Sequence, residues 1–467
     1  MVMIKRLVRW LVGLLVIGAL LWAGVCVFFI ATHPTLAFTP KELARVPEPL
    51  PLGFLWGTAT SAHQIEGGND NDWTRFESVP GNIESGDRST VAADHWSRMT
   101  EDVALMQKIG ANAYRFSIEW SRLEPEEGAW NEDAWLGYQD LLQQLDEAGL
   151  TPMVTLLHFT LPYWIADRGG LTARDFPERF ARFAAEAARR LGPRVELWCT
   201  INEPNVQMFM GYVSGDWPPL ETSPARAAGA WVGLLRAHAA AAKALRAGDP
   251  DARIGIAQNQ MVLQPEWPWW LPDWLAVRFV DQTWNWAFYD AIRDGHIRLR
   301  LPGATIDEPL AELQGSADYF GLNYYFRYFV HAVPGAPQGV ALRPGPGLQS
   351  ELGGEPPPGD SFPEGLVLLM REAWARYELP IYITEAGIAD EEGVMRGPLI
   401  RAHVEAIQRA RAEGLPVLGY FHWSLLDNFE WDKGYRPRFG LHAVDPETLE
   451  RRPAGGADTF AELAPVP

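Results

Sequence analysis

From Phe54 onward, short apolar runs rich in β-branched and aromatic residues alternate with longer stretches of helical spacing. Eight runs read as strands: "FLWGTATS", "AYRFSIEW", "TPMVTLLHF", "ELWCTIN", "RIGIAQN", "DYFGLNYY", "IYITEAG" and "VLGYFHWSL". Between them lie amphipathic segments, among them 94–110, 133–149 and 224–248. In the first of these, Val103, Met106 and Ile109 recur at helical intervals. Strands joined by helices must pair in parallel, because antiparallel neighbours need no helical return. Eight such units predict an α/β fold, a single closed (β/α)8 TIM barrel. The Gly- and Pro-rich stretch 333–360 follows the sixth strand and reads as a mobile loop at the barrel rim.

A different pattern precedes the barrel. Lys5, Arg6 and Arg9 are followed by Trp10 to Ile30 without a charge. That run is long enough to cross a bilayer, which takes roughly 20 apolar residues. Its exit, "VCVFFIATHPT", is bulky where a cleavable signal would carry small residues. The expectation is an N-terminal transmembrane helix, with 1–9 a short basic cytoplasmic segment, 10–32 an anchor, 33–52 a Pro-spaced stalk and 53–467 the catalytic domain. The basic flank predicts a single-pass orientation with the catalytic domain outside, periplasmic or extracellular. A cleaved signal would export the domain too.

Composition narrows the function. The chain is 47% hydrophobic and 21% charged, ordinary for a protein with a large core, and its net charge of -19 repels nucleic acid. The 21 Trp exceed what a core alone needs and suit flat apolar or sugar ligands. Of the two cysteines, Cys26 sits in the apolar run and Cys199 in a strand, so they are not expected to pair. No metal-binding H-E-x-x-H and no phosphate-cradling glycine loop occurs, so no cofactor is expected.

The chemistry of such barrels sits at the carboxyl ends of the strands. Those ends carry Gln64 and Glu66, Arg115, His158, Asn202 and Glu203, Asn323 and Tyr325, Glu385, and Trp423. Polar groups converging from seven strands are costly to bury without a use. Two carboxylates close enough for a direct displacement are the minimum equipment for glycoside hydrolysis. One must stay protonated and the other ionised. Arg115 and Tyr325 would keep Glu385 ionised, while desolvation beside neutral Asn202 would leave Glu203 protonated.

From about Phe54 to Asp445 the chain resembles glycoside hydrolase family 1, the retaining β-glucosidases and β-galactosidases. The stretches that carry the resemblance are "FLWGTATSAHQIEG", "EDVALMQKIGANAYRFSIEWSRL", "TLLHFTLPYW", "TINEPN", "FGLNYY", "YITEAGI", "WSLLDNFEW" and "GYRPRFGL". The resemblance implies an exo-acting β-glycosidase with Glu203 as acid/base and Glu385 as nucleophile. It implies that Gln64, His158, Asn202, Glu430 and Trp431 hold the hydroxyls of the sugar, that Trp423 forms the floor, and that Arg115 and Tyr325 attend the nucleophile. The chain departs from the family pattern at Ala386, where Asn is usual, and at Phe159, often Trp.

The segment "PEWPWWLPDW", 265–274, has two readings. It is either a proline-rich loop packing aromatics on the barrel or a platform for an apolar or interfacial aglycone. The alternatives to hydrolysis are a membrane-associated transglycosylase acting on glycolipids and a silent sugar-binding domain. The second of these predicts loss of a catalytic glutamate, and both glutamates are present.

Overall fold

The computed structural model describes residues 2–32, 47–335, 339–354 and 357–465. Eight parallel strands form the barrel: β1 (Leu55–Ala59), β2 (Ala113–Ser117), β3 (Thr151–Leu157), β4 (Leu197–Asn202), β5 (Arg253–Pro265), β6 (Phe320–Ala332), β7 (Ile381–Ala386) and β8 (Val417–Trp423). Each pairs with the next in sequence, β8 returns to β1 (Leu55 opposite Gly419), and no barrel edge remains open. All eight expected strands are therefore present, and the fold is the expected TIM barrel.

Helices form the outer ring for local reasons. Asn131 accepts a bond from Ala134 N at 3.2 Å and caps the helix Glu132–Glu147, whose first turn carries Glu132 and Asp133. The helix Phe176–Leu191 buries Phe176, Phe180, Phe183, Ala187 and Leu191 along one stripe. Ser223 caps the helix Pro224–Gly248, in which proline occupies the first turn. Gly233 of that helix lies so near the backbone of Leu171 that an added Cβ would sit 2.0 Å from its carbonyl oxygen.

Two features depart from the sequence reading. The rim stretch 333–360 is not a featureless loop: Val340–Pro344 pairs antiparallel with the distal half of β6, and Asp360 pairs opposite Arg327. The cause is a buried ion pair. Asp360 accepts from Arg327 Nη2 at 2.6 Å and from the backbone amides of Gly345 and Gly347, both at 2.8 Å. A hairpin, His296–Leu301 with Ala304–Pro309, was also not anticipated.

At the N-terminus one helix, Val2–Thr32, takes in both the basic residues and the apolar run, and most of its side chains from Met3 onward are exposed, Cys26 and Phe29 being half-buried. Of the expected stalk, 33–46 lies outside the described residues.

Candidate active site

At the end of β4 the chain must leave the barrel, and Pro204 opens the next helix. Glu203, between them, adopts φ 44°, in the left-handed region. Phe159 (φ 71°) and Trp431 (φ 50°) share this conformation nearby. A non-glycine residue held there costs on the order of 1–3 kcal/mol, a strain that concentrates at functional sites.

The Glu203 carboxyl is buried, and its Oε1 accepts from Asn259 Nδ2 and Asn323 Nδ2, both at 2.9 Å. Burial first, and the nearby Glu385 charge second, push its pKa up to about 8, against the lowering effect of the two amides. At neutral pH it is therefore mostly protonated.

Glu385 stands at the end of β7, where the pairing with β6 is irregular between Ile383 and Glu385. Its Oε1 accepts from Arg115 Nη1 at 2.5 Å and its Oε2 from the Tyr325 hydroxyl at 2.8 Å. Arg115, wholly buried, also donates from Nη2 to Asn202 Oδ1 at 2.7 Å and from Nη1 to the Thr384 carbonyl at 3.0 Å. Burial opposes its charge, but Glu385 more than offsets this and keeps the guanidinium protonated. Burial likewise holds the Tyr325 phenol well above its ordinary pKa, so it remains a donor.

Asn202 ties the two halves together. Its Oδ1 also accepts from Asn323 Nδ2 at 3.1 Å, and its Nδ2 faces His158 Nε2 at 3.1 Å. Burial, then Arg115, hold the His158 pKa well below the usual range, so the imidazole is neutral. The His158 ring lies nearly parallel to those of Trp423 (centroids 5.9 Å) and Trp431 (6.0 Å). Phe159 packs its ring on Trp431 at 5.1 Å, so the residue that departs from the family pattern supports the wall.

Gln64 donates to Asn428 Oδ1 at 2.9 Å and to Glu430 Oε2 at 3.2 Å. Burial, followed by the charges of Glu385 and Asp432, raises the Glu430 pKa to about 8.

These groups meet in a cavity of about 1130 Å³ lined by His158, Asn202, Glu203, Tyr325, Glu385, Trp423, Glu430 and Trp431. Gln64 and Arg115 stand behind it and reach it through Glu430 and Glu385. Glu66 does not belong to it: its carboxylate accepts from Tyr138 and Arg122, at 2.6 and 3.1 Å, away from the cavity. Sequence reasoning missed Asn259, whose only signal is its place at the end of the fifth apolar run. Ala386 is buried within β7 and paired with Tyr324 and His422, and Glu385 keeps both of its partners without an Asn side chain there.

The family model for glycosyl hydrolase family 1 matches residues 46–465. The chain is 36% identical over 427 residues to β-glucosidase A of Thermotoga maritima, covering 86% of this chain and 94% of that one. It is 32% identical to a β-galactosidase of Pyrococcus woesei, covering 86% and 94%. Among solved structures it resembles a β-glycosidase from Pyrococcus horikoshii (TM-score 0.81, 37% identity, 90% of this chain and 95% of that one). It also resembles the Thermotoga maritima β-glucosidase in complex with glucoimidazole (TM-score 0.81, 33% identity, 89% and 98%).

Proposed function

The chain belongs to glycosyl hydrolase family 1 and is a β-glucosidase-like glycoside hydrolase; from that premise we propose that Glu385 is its nucleophile and Glu203 its acid/base. The observation that carries this assignment is the division of labour between the two carboxyls. Both Glu385 oxygens are held and aimed by donors, a guanidinium and a phenol, while Glu203 is left with a proton at neutral pH.

In the first step a Glu385 oxygen attacks the anomeric carbon and the bond to the aglycone oxygen breaks. The Glu203 proton goes to that oxygen, and a glycosyl ester forms on Glu385. Ester formation removes the Glu385 charge, which is the second cause of the raised Glu203 pKa. Glu203 then releases its proton more readily and can act as base. It takes a proton from water as the water oxygen attacks the same carbon, Glu385 leaves, and the sugar departs with its configuration retained.

Glu430, with Gln64 behind it, is placed to take vicinal hydroxyls by bidentate bonds. His158 and Asn202 offer further polar partners, and Trp423 and Trp431 offer flat faces for the ring. The glucoimidazole bound by the Thermotoga maritima relative makes a glucose-shaped ligand a suitable first probe.

The helix Val2–Thr32 is read as a membrane anchor, with 1–9 cytoplasmic, 10–32 spanning, 33–52 a stalk and 53–467 catalytic on the far side. The length and exposed apolar surface of the helix support this reading.

The assignment is tested by trapping. A 2-fluoro-glucoside should leave a covalent adduct on the peptide containing Glu385, and product NMR should show the β-anomer first. An adduct on another residue, or the α-anomer first, overturns it. Transglycosylation would appear as alkyl glycosides when an alcohol is added.

A further inference from the structure

On the helix Leu271–Asp281 an apolar stripe faces outward beside the exposed Arg278. Leu271, Leu275 and Phe279, one helical turn apart, are exposed, whereas Asp273 and Val277 are buried. The preceding turn adds three more apolar side chains: Trp267, Trp269 and Trp270 are 42%, 41% and 37% exposed. A contiguous exposed apolar face of this kind marks an interaction surface.

The face is held firmly. The buried Asp273 carboxylate accepts from Trp267 N at 3.0 Å and from Ala332 N at 2.9 Å. The Trp267 and Trp269 rings stack at 5.5 Å, and Trp274 Nε1 donates to the Pro268 carbonyl at 2.8 Å.

Two further relationships say what covers it. First, the C-terminal end of the apolar helix Val2–Thr32 touches this face: Cys26 Sγ lies 3.6 Å from the Trp269 carbonyl oxygen, and the Phe29 and Trp274 rings are 5.6 Å apart. The patch therefore continues the surface of the one described helix suited to crossing a bilayer, at the level where tryptophans collect. Second, the same stretch reaches the cavity. Phe279 and Trp284 both line it, and Trp284 Nε1 donates to Asn259 Oδ1 at 3.0 Å. Asn259 in turn donates to Glu203, the group that must face the leaving oxygen. The aglycone side of the cavity thus opens toward the patch, past Phe209, Met210 and Val213.

We infer that the 267–279 face lies in the membrane interface beside the anchor and that the enzyme accepts amphiphilic β-glycosides from that bilayer. The sugar head enters the polar end of the cavity and the apolar aglycone trails along the Phe279 wall. Hydrolysis proceeds as above, with the lipid alcohol leaving protonated by Glu203. This inference rests on the catalytic assignment and adds the class of substrate.

The test uses the full chain in phosphatidylcholine vesicles containing a dioleoyl β-glucosylglycerol or its galactosyl counterpart, beside a soluble aryl β-glycoside of the same sugar. In the variant L271S/L275S/W270S, cleavage of the lipid should fall about tenfold or more, because interfacial binding scales with buried apolar area. Turnover of the aryl glycoside should stay within about twofold, since none of these side chains touches the reacting groups. The single variant L275S, at a position 59% exposed, should show a smaller loss in the same direction and guards against misfolding of the triple variant. Wild-type cleavage of the aryl glycoside with none of either lipid overturns the inference and leaves the catalytic assignment standing. Equal lipid cleavage by variant and wild type overturns it too, as would dimers in detergent that the variant dissolves without change in the lipid rate. Failure of the wild type on every glycoside overturns the catalytic assignment and this inference with it.

Discussion

The Tyr325 hydroxyl donates to Oε2 of Glu385 at 2.8 Å, on the oxygen opposite the one held by Arg115. Both carboxylate oxygens therefore have a fixed donor before any substrate arrives, and the side chain is aimed without reorganisation. Since burial keeps the phenol protonated well above its ordinary range, this donor persists across the working pH. Replacing Tyr325 by Phe should lower kcat by about 10²-fold, the scale of losing one preorganised donor. Steady-state kinetics on an aryl glycoside would read this, and an unchanged kcat would show that Arg115 alone suffices.

Removing the proton donor should separate substrates by leaving group. Glu203→Ala should cleave dinitrophenyl glycosides at close to the wild-type glycosylation rate, measured in a single turnover. Alkyl glycosides, whose leaving oxygen needs a proton, should slow by about 10²–10⁴-fold. Equal losses on both would refute Glu203 as the acid.

The pH profile carries a signature of the same pair. Glu203 must be protonated to act first, and its pKa stands at about 8, so kcat/KM should fall as pH rises through that value. Because the Glu385 charge contributes to that elevation, Glu385→Gln should bring the Glu203 pKa down. Carbon-13 NMR of the labelled carboxyl would record the shift, and a rise instead would contradict the coupling.

Stability should vary with pH for a related reason. Glu203 and Glu430 rise from 4.5 to about 8, and Asp72 from 3.8 to about 7, each through burial first. For a carboxyl raised in the folded state, the stabilisation is full below the unfolded pKa and disappears as pH climbs through the folded one. The ligand-free enzyme should therefore lose melting temperature between about pH 4.5 and pH 8. Glu430→Gln should flatten that slope in calorimetric scans, and an unaltered slope would remove Glu430 from the account.

At the rim, Asp360→Ala would take the carboxylate away from a buried guanidinium and should cost about 3–5 kcal/mol in chemical denaturation. Replacing both partners by apolar residues, as in R327M/D360L, should cost less, because neither buried charge is kept without the other.

Much of this was legible in the chain itself, for definable reasons. The eight strands were readable because each is a short β-branched run bounded by helical spacing. Glu203 and Glu385 were readable because a charge directly after such a run is anomalous. Asn259 was not, since it stands among three successive amides, Gln258 to Gln260, and nothing in that run tells which of them bonds Glu203. Glu66 was misplaced for the converse reason: it ends the short helix Ala62–Ile65 that follows β1, where strand alternation no longer indicates direction. The rim strands were hidden by a Gly- and Pro-rich composition, which reports turns but not the Arg327–Asp360 pair that fixes them in register.

The ring of strands returns to itself through β8 and β1, so each barrel strand is held on both sides by a neighbour. Evolution or engineering can consequently remodel the outer segments 208–220, 265–280 and 339–354 to admit new leaving groups, provided Asn205 and Trp284 stay to hold Asn259 on Glu203. In such a molecule, selectivity for the aglycone and competence for chemistry are separately inheritable traits.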